Sequence, residues 1–226
     1  MLERLNEIKE KIKKATLKSG KLQNEVKLVA VTKKIEIERI KEAAFLGITD
    51  FGENHVQEMA RKQPQLTENK SSWHMIGHLQ TNKVRQAVEM ACMIHSIDSI
   101  RLLEEVDKAA GKRGKIQDVL IERNIAEEMS KYGISAEEAT KFAKKTCIYN
   151  NIRLRGIMCV APFVENAEKN RVYFRKMRNL LIDIQQENKD NGFIDCLSMG
   201  MTGDYEVAVE EGATMVRIGT GIFGDR

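Results

Sequence analysis

Eight short apolar runs recur along the chain: KLVAV, ITDFGE, WHMIGH, MIHSID, QDVLIE, LRGIMCV, CLSMG and MVRIG. Each is too short for a buried helix. Between them lie charged stretches with helical spacing, such as IERIKEAAFLG after the first run and FRKMRNLLIDIQQEN after the sixth. Strands that alternate with helices run parallel, because each crossover helix returns the chain to the same end of the sheet. Eight such units in 226 residues suit a closed (β/α)8 TIM barrel better than an open sheet. The expected architecture is thus an α/β barrel, a single domain over 1–226, with 2–17 as an extra leading helix. The two prolines, Pro64 and Pro162, sit in no Pro/Gly/Ser-rich linker, so no internal boundary is expected.

Charge and composition exclude several classes. Lysine plus arginine exceeds aspartate plus glutamate by 37 − 33 = 4, and the charges are interspersed along helical stretches, so nucleic acid is not an expected partner. No apolar run approaches membrane-spanning length, and the amino terminus MLERLNEIKEKIKK lacks the apolar core of a secretory signal. Cys92, Cys147, Cys159 and Cys196 form no CxxC pair, and two of them lie in apolar runs, which fits a reducing compartment. A cytoplasmic protein with no membrane association is expected.

In such a barrel the functional site lies at the carboxyl ends of the strands, where the βα loops converge. The polar residues that follow the runs are Lys33, Glu53, Asn54, His78, Gln80, Asp98, Asn124, Ser198, Gly219 and Thr220, and they should form one ring. Period-two alternation puts Val29, Val31 and Lys33 on one face of the first strand, the face of the barrel interior. On position alone a lysine that ends a strand is more often a solvated surface residue. The functional alternative is an amine whose charge is suppressed by desolvation and which can attack an aldehyde. Lys34 has the opposite parity and is expected in solvent.

On the eighth strand Met215, Arg217 and Gly219 share a face, so Arg217 also points inward. Its partner is either an acid such as Glu53 or an acceptor on a ligand, since an unpaired buried guanidinium is costly. The segments SMGMTGD and RIGTGIFG then supply glycine-rich turns after strands seven and eight, a place where such barrels bind phosphate. Either segment alone is better read as a tight corner. GTGIFG matches G-x-G-x-x-G, but only Asp225 and Arg226 follow it, which leaves no room for a dinucleotide-binding helix. His74 and His78 are four apart without an HExxH pattern, and no metal site is expected.

The motifs VAVTK (29–33), FGEN with VQE (51–58), GHLQTNK (77–83), HSIDS (95–99), SMGMTGD (198–204) and VRIGTGIFG (216–224) occur in this order along nearly the whole chain. Together they resemble the pyridoxal phosphate homeostasis proteins, whose fold is similar to the barrel domain of bacterial alanine racemases. The resemblance implies pyridoxal 5′-phosphate as cofactor, held as a Schiff base on Lys33. It further implies that Ser198, Gly219 and Thr220 hold the phosphate, that Arg217 faces the pyridine nitrogen and that Asn54 lies near the ring. His55 and Thr202 depart from the family pattern, where tyrosine and serine are common.

The resemblance leaves two readings of different class. One is a protein that buffers or delivers the cofactor, acting on pyridoxal phosphate-dependent apoenzymes without dedicated catalysis; the other is a small amino-acid racemase or lyase. An arginine at the pyridine nitrogen disfavours ring protonation and so weakens the electron sink. The racemases also take a tyrosine from a carboxyl-terminal domain of the partner subunit, whereas this sequence ends at Arg226, directly after the eighth run. A monomeric carrier is therefore expected. Of Tyr132, Tyr149, Tyr173 and Tyr205, only Tyr205 lies near a pocket segment, and packing at a helix start is its expected role.

Overall fold

The computed structural model describes residues 1–20, 26–66, 71–126, 133–188 and 193–224; Tyr132, Asp225 and Arg226 lie outside them. Eight parallel strands close into a barrel in sequence order. They are β1 Lys27–Val31, β2 Asp50–Glu53, β3 Ser72–Met75, β4 Met93–Ile97, β5 Gln117–Arg123, β6 Ile152–Cys159, β7 Cys196–Ser198 and β8 Met215–Ile218. The helices are α1 Leu2–Lys18, α2 Ile37–Phe45, α3 Val56–Lys62, α4 Val84–Met90, α5 Ile100–Gly111, α6 Ala136–Thr146, α7 Arg171–Glu187, α8 Tyr205–Glu210 and α9 Thr220–Phe223. The expected (β/α)8 barrel and its leading helix are both present. No helix among the described residues is long and apolar enough to cross a membrane.

Strand parity separates two apolar clusters. Outward residues such as Ala30, Phe51, Trp73, Ile94, Val119, Ile157, Leu197 and Val216 join the inner faces of the helices in one large core. Inward residues Val29, Met93, Leu120, Met158, Cys196 and Met215 form a second, smaller cluster inside the barrel. Each fully buried aliphatic or aromatic side chain contributes about 1.5–3 kcal/mol, so most of the hydrophobic stabilisation lies in the shell between strands and helices. The interior is consequently able to hold polar groups without loss of the fold.

Helix α1 buries Leu5, Ile8, Ile12 and Ala15 and lies against α8 and α9. Arg4 Nε donates to the Ile222 carbonyl at 3.1 Å, and Lys18 pairs with Glu210 at 3.0 Å. The leading helix thereby backs the last βα turn, which belongs to the carboxyl-end mouth of the barrel.

Candidate functional site

Lys33 follows β1 in a tight turn in which the Ile35 N–H donates to the Thr32 carbonyl at 2.9 Å. Lys34 occupies the left-handed position of this turn with φ 58° and is exposed, as its parity predicts. Lys33 is half-buried on the interior side, two residues beyond Val31. Behind the turn, outside the barrel, Lys62 is buried and directs its three donors to the Thr32 carbonyl, Glu53 Oε1 and Glu58 Oε2, each at 2.7 Å. Glu53 Oε1 also accepts from the Thr32 hydroxyl at 2.6 Å, and Glu58 Oε2 accepts the Lys34 N–H at 2.9 Å. Burial pushes the Glu53 carboxyl up, against the pull of Lys62 and Thr32.

This cluster corrects the expectation that Glu53 belongs to the ligand-facing ring or pairs with Arg217. On β2, Asp50 and Gly52 face inward and Phe51 and Glu53 outward, so Glu53 anchors the Lys33 turn instead. Removing one partner of a buried ion pair strands the other charge, at a cost of about 3–5 kcal/mol, whereas replacing both is far milder. Lys62→Ala should lower the denaturation free energy by that amount. Glu53→Gln with Lys62→Met should recover most of it in urea titrations, and equal losses in both variants would contradict the stranded-charge account.

Arg217 on β8 is buried and inward-facing, as parity predicts. Its Nη1 donates to Ser198 Oγ at 2.7 Å and its Nη2 to the Cys159 carbonyl at 2.7 Å. Ser198 is wholly buried and also lies 3.2 Å from His95 Nδ1. The structure thus joins Ser198 to Arg217 in the barrel interior. Thr202 stands beside Thr220: its Oγ1 lies 3.2 Å from Thr220 Oγ1 and accepts the Gly221 N–H at 3.2 Å. A Cβ on Gly221 would sit 2.9 Å from an Ile218 methyl, 3.2 Å from Thr202 Cγ2 and 3.5 Å from Ile8 Cδ1, so a glycine there lets the turn pack closely against Thr202 and α1. Asp204 fixes the 198–204 turn by accepting the Met201 N–H at 2.7 Å and Asn170 Nδ2 at 2.8 Å.

The other expected ring residues divide. Asn54 is half-buried at the end of β2, and its backbone abuts Gly77 so closely that a Cβ on Gly77 would lie 2.4 Å from the Asn54 carbonyl oxygen. His78 and Asp98 pair at 3.2 Å, while Gln80 is exposed and Asn124 half-buried. Tyr205 is buried in the outer core at the start of α8, the packing role expected of it. His74 and His78 diverge: His74 points into the barrel, 2.9 Å from both Asp50 and His95. Glu122, which no sequence motif marks, is also inward. Burial and the nearby Asp98 push its carboxyl up to about 7 against the opposing charge of Arg217, and its Oε2 is buried without a hydrogen-bond partner.

Residues 4–226 match the family described as alanine racemase, N-terminal domain. The chain belongs to that family. Within it, the pyridoxal phosphate homeostasis protein of Aquifex aeolicus (strain VF5) is 42% identical over 224 residues, covering 99% of this chain and 97% of the relative. The protein of the same name from Escherichia coli (strain K12) is 35% identical, covering 98% and 95%. The solved structure of PipY from Synechococcus elongatus PCC7942 without PLP matches with a TM-score of 0.88 at 33% identity, over 99% of this chain and 100% of that one. Its form with PLP bound gives 0.85 at 33% identity, over 99% of each. Alanine racemase of Clostridium difficile 630 shares the fold, with a TM-score of 0.69 at 15% identity; the likeness covers 99% of this chain and 56% of the racemase. The homeostasis-protein relationship and the racemase-like barrel that the motifs imply are thus both met.

Proposed function

We propose that this chain binds pyridoxal 5′-phosphate and serves its homeostasis, buffering the cofactor or delivering it to apoenzymes, without dedicated catalysis. The observation that carries this reading is the hydrogen-bonded cluster of Thr202, Thr220 and Gly221 just after β8 and its buried Arg217, beside β1, the strand that leads into Lys33. These residues fit the cofactor group by group. Lys33 is the amine that would hold its aldehyde, and Thr202, Thr220 and the backbone at Gly219 and Thr220 would hold its phosphate. Arg217, steadied by Ser198, would meet the pyridine nitrogen, and Asn54 would flank the ring. Relatives named for pyridoxal phosphate homeostasis at up to 42% identity, and a PipY structure that contains PLP, support the assignment.

Bound in this way, the cofactor would supply an electron-withdrawing ring. Arg217 would disfavour protonation of that ring's nitrogen, because a second positive charge beside a guanidinium is unfavourable. Carbanion chemistry is thereby weakened, which favours a carrier. The carrier is further taken to be a single barrel domain, monomeric and cytoplasmic, with no nucleic acid, metal or membrane partner.

One observation favours the racemase or lyase alternative. Glu122 is an inward carboxyl held near neutrality, suited to moving a proton. Incubation of the loaded protein with L-alanine in deuterated water decides between them. Slow or no α-deuteration and no D-alanine are expected; rapid D-alanine formation that disappears in Glu122→Gln would overturn the carrier reading.

A further inference from the structure

A continuous hydrogen-bonded chain crosses the barrel interior from the amino-end mouth to Arg217. Asp50 Oδ1 lies 2.9 Å from His74 Nε2, His74 Nδ1 2.9 Å from His95 Nε2, and His95 Nδ1 3.2 Å from Ser198 Oγ, which accepts from Arg217 Nη1 at 2.7 Å. Its members come from β2, β3, β4, β7 and β8. Both histidines and Ser198 are almost wholly buried. At the outer end, Asp50 and His74 line a cavity of about 510 Å³ at the amino ends of the strands, opposite the proposed cofactor site.

Two histidines joined in series admit two self-consistent arrangements of protons. With His74 neutral, Arg217 donates to Ser198, the Ser198 hydroxyl to His95 Nδ1, His95 Nε2–H to His74 Nδ1, and His74 Nε2–H to Asp50. Every donor has an acceptor in this arrangement. With one more proton, His74 donates from both nitrogens, to Asp50 and to His95 Nε2. His95 then keeps its single proton on Nδ1 and donates it to Ser198. Ser198 Oγ now accepts from both His95 and Arg217, and its own hydrogen is left for a third acceptor.

We propose that Asp50, His74 and His95 are positioning residues for the cofactor site, and that one proton taken up at the amino-end mouth reverses the donor direction of the whole chain. Reversal turns the Ser198 hydroxyl from a donor to His95 into a donor directed to the bound ligand beside Arg217. The inference rests on the cofactor reading above for its effect on ligand, but not for the reversal itself.

The charges around His74 set where the reversal falls. Burial works against a charged His74, yet its hydrogen bonds to Asp50 and Cys92 outweigh burial and raise it to about 9. Asp50 is itself held low: the bonds from His74, Thr49 and Lys27 overcome its burial. Asp118 and Asp195 face the same mouth with Arg155 between them, bonded to both at 3.2 and 3.0 Å. On the inner side, burial followed by the charges of His74 and Arg217 keeps His95 well below its ordinary value and hence neutral. Glu122 lies beyond Arg217 on β5. Since His74 is raised, its ion pair contributes stability in full below the ordinary pKa of 6.5, and that contribution is lost as pH rises through about 9.

The test joins a readout without cofactor to one with it. In 15N-labelled protein without cofactor, imidazole nitrogen shifts should show His74 losing its proton near pH 9 while the proton of His95 moves from Nδ1 to Nε2 in the same step. A His95 tautomer that stays fixed across the titration would overturn the relay whether or not the protein binds cofactor. In binding titrations, pyridoxal phosphate affinity of the wild type should fall on the order of tenfold between pH 8 and 10, the usual scale of coupling between sites. In His74→Gln, or in Asp50→Asn should the first variant fold poorly, that pH step should vanish. A wild type that binds no pyridoxal phosphate would sink the cofactor reading alone. An identical pH profile in wild type and variant would sink the positioning role.

Discussion

Lys33→Ala is expected to abolish covalent retention of pyridoxal phosphate while leaving the thermal unfolding of the protein nearly unchanged. The visible absorbance of the loaded protein should disappear, and borohydride should no longer fix cofactor on the peptide that carries residue 33. The expectation of an intact fold comes from the way the turn is built. Thr32, Glu53, Glu58 and Lys62 hold its backbone from outside the barrel, and none of those bonds uses the Lys33 side chain. Retained colour would move the attachment elsewhere, with Lys34 the first suspect; loss of the fold would make Lys33 structural.

The second large effect concerns the phosphate. Thr202→Val together with Thr220→Val should weaken binding of pyridoxal phosphate far more than that of pyridoxal, because hydrogen bonds to a charged group are each worth about 1.5–3 kcal/mol. Two such bonds correspond to a loss of roughly two to four orders of magnitude in affinity. Ser198→Ala should act differently. It removes a neighbour of Arg217 and so should weaken both ligands alike. If Ser198→Ala discriminates between them and the threonine pair does not, Ser198 holds the phosphate after all.

The contrast between Ser198 and Thr202 shows where the sequence was legible and where it was not. Alternation along VAVTK and MVRIG places Lys33 and Arg217 on the interior correctly, because a residue's face on a strand follows from counting alone. The same count along WHMI and MIHSI puts His74 and His95 inward, and that signal was available in the sequence. Its meaning was not, because the Asp50–His74–His95–Ser198 chain depends on how four strands are staggered around the closed barrel. Ser198 and Thr202 occur in one glycine-rich motif, and nothing in the spacing decides which of them ends a strand in the core and which stands on the turn above. The place of Glu53 is hidden for a related reason: it directly precedes Asn54 in the motif, yet one residue of parity sends it to the opposite side of the sheet. Lys62 carried no sequence signal at all, since on a short helix among charged residues it reads as a solvated side chain.

The cluster of Val29, Met93, Leu120, Met158, Cys196 and Met215 inside the barrel would also fix the traffic of a bound cofactor. With that stopper in the shaft, a ligand held on Lys33 would have to enter and leave at the carboxyl ends of the strands. An acceptor protein that seals this doorway would trap the cargo in a shared compartment. One that waits for the cargo to diffuse out would instead compete with water and every other amine for it. Hand-off by direct contact and hand-off through free solution then differ in a simple way: only the first speeds up as the acceptor concentration is raised.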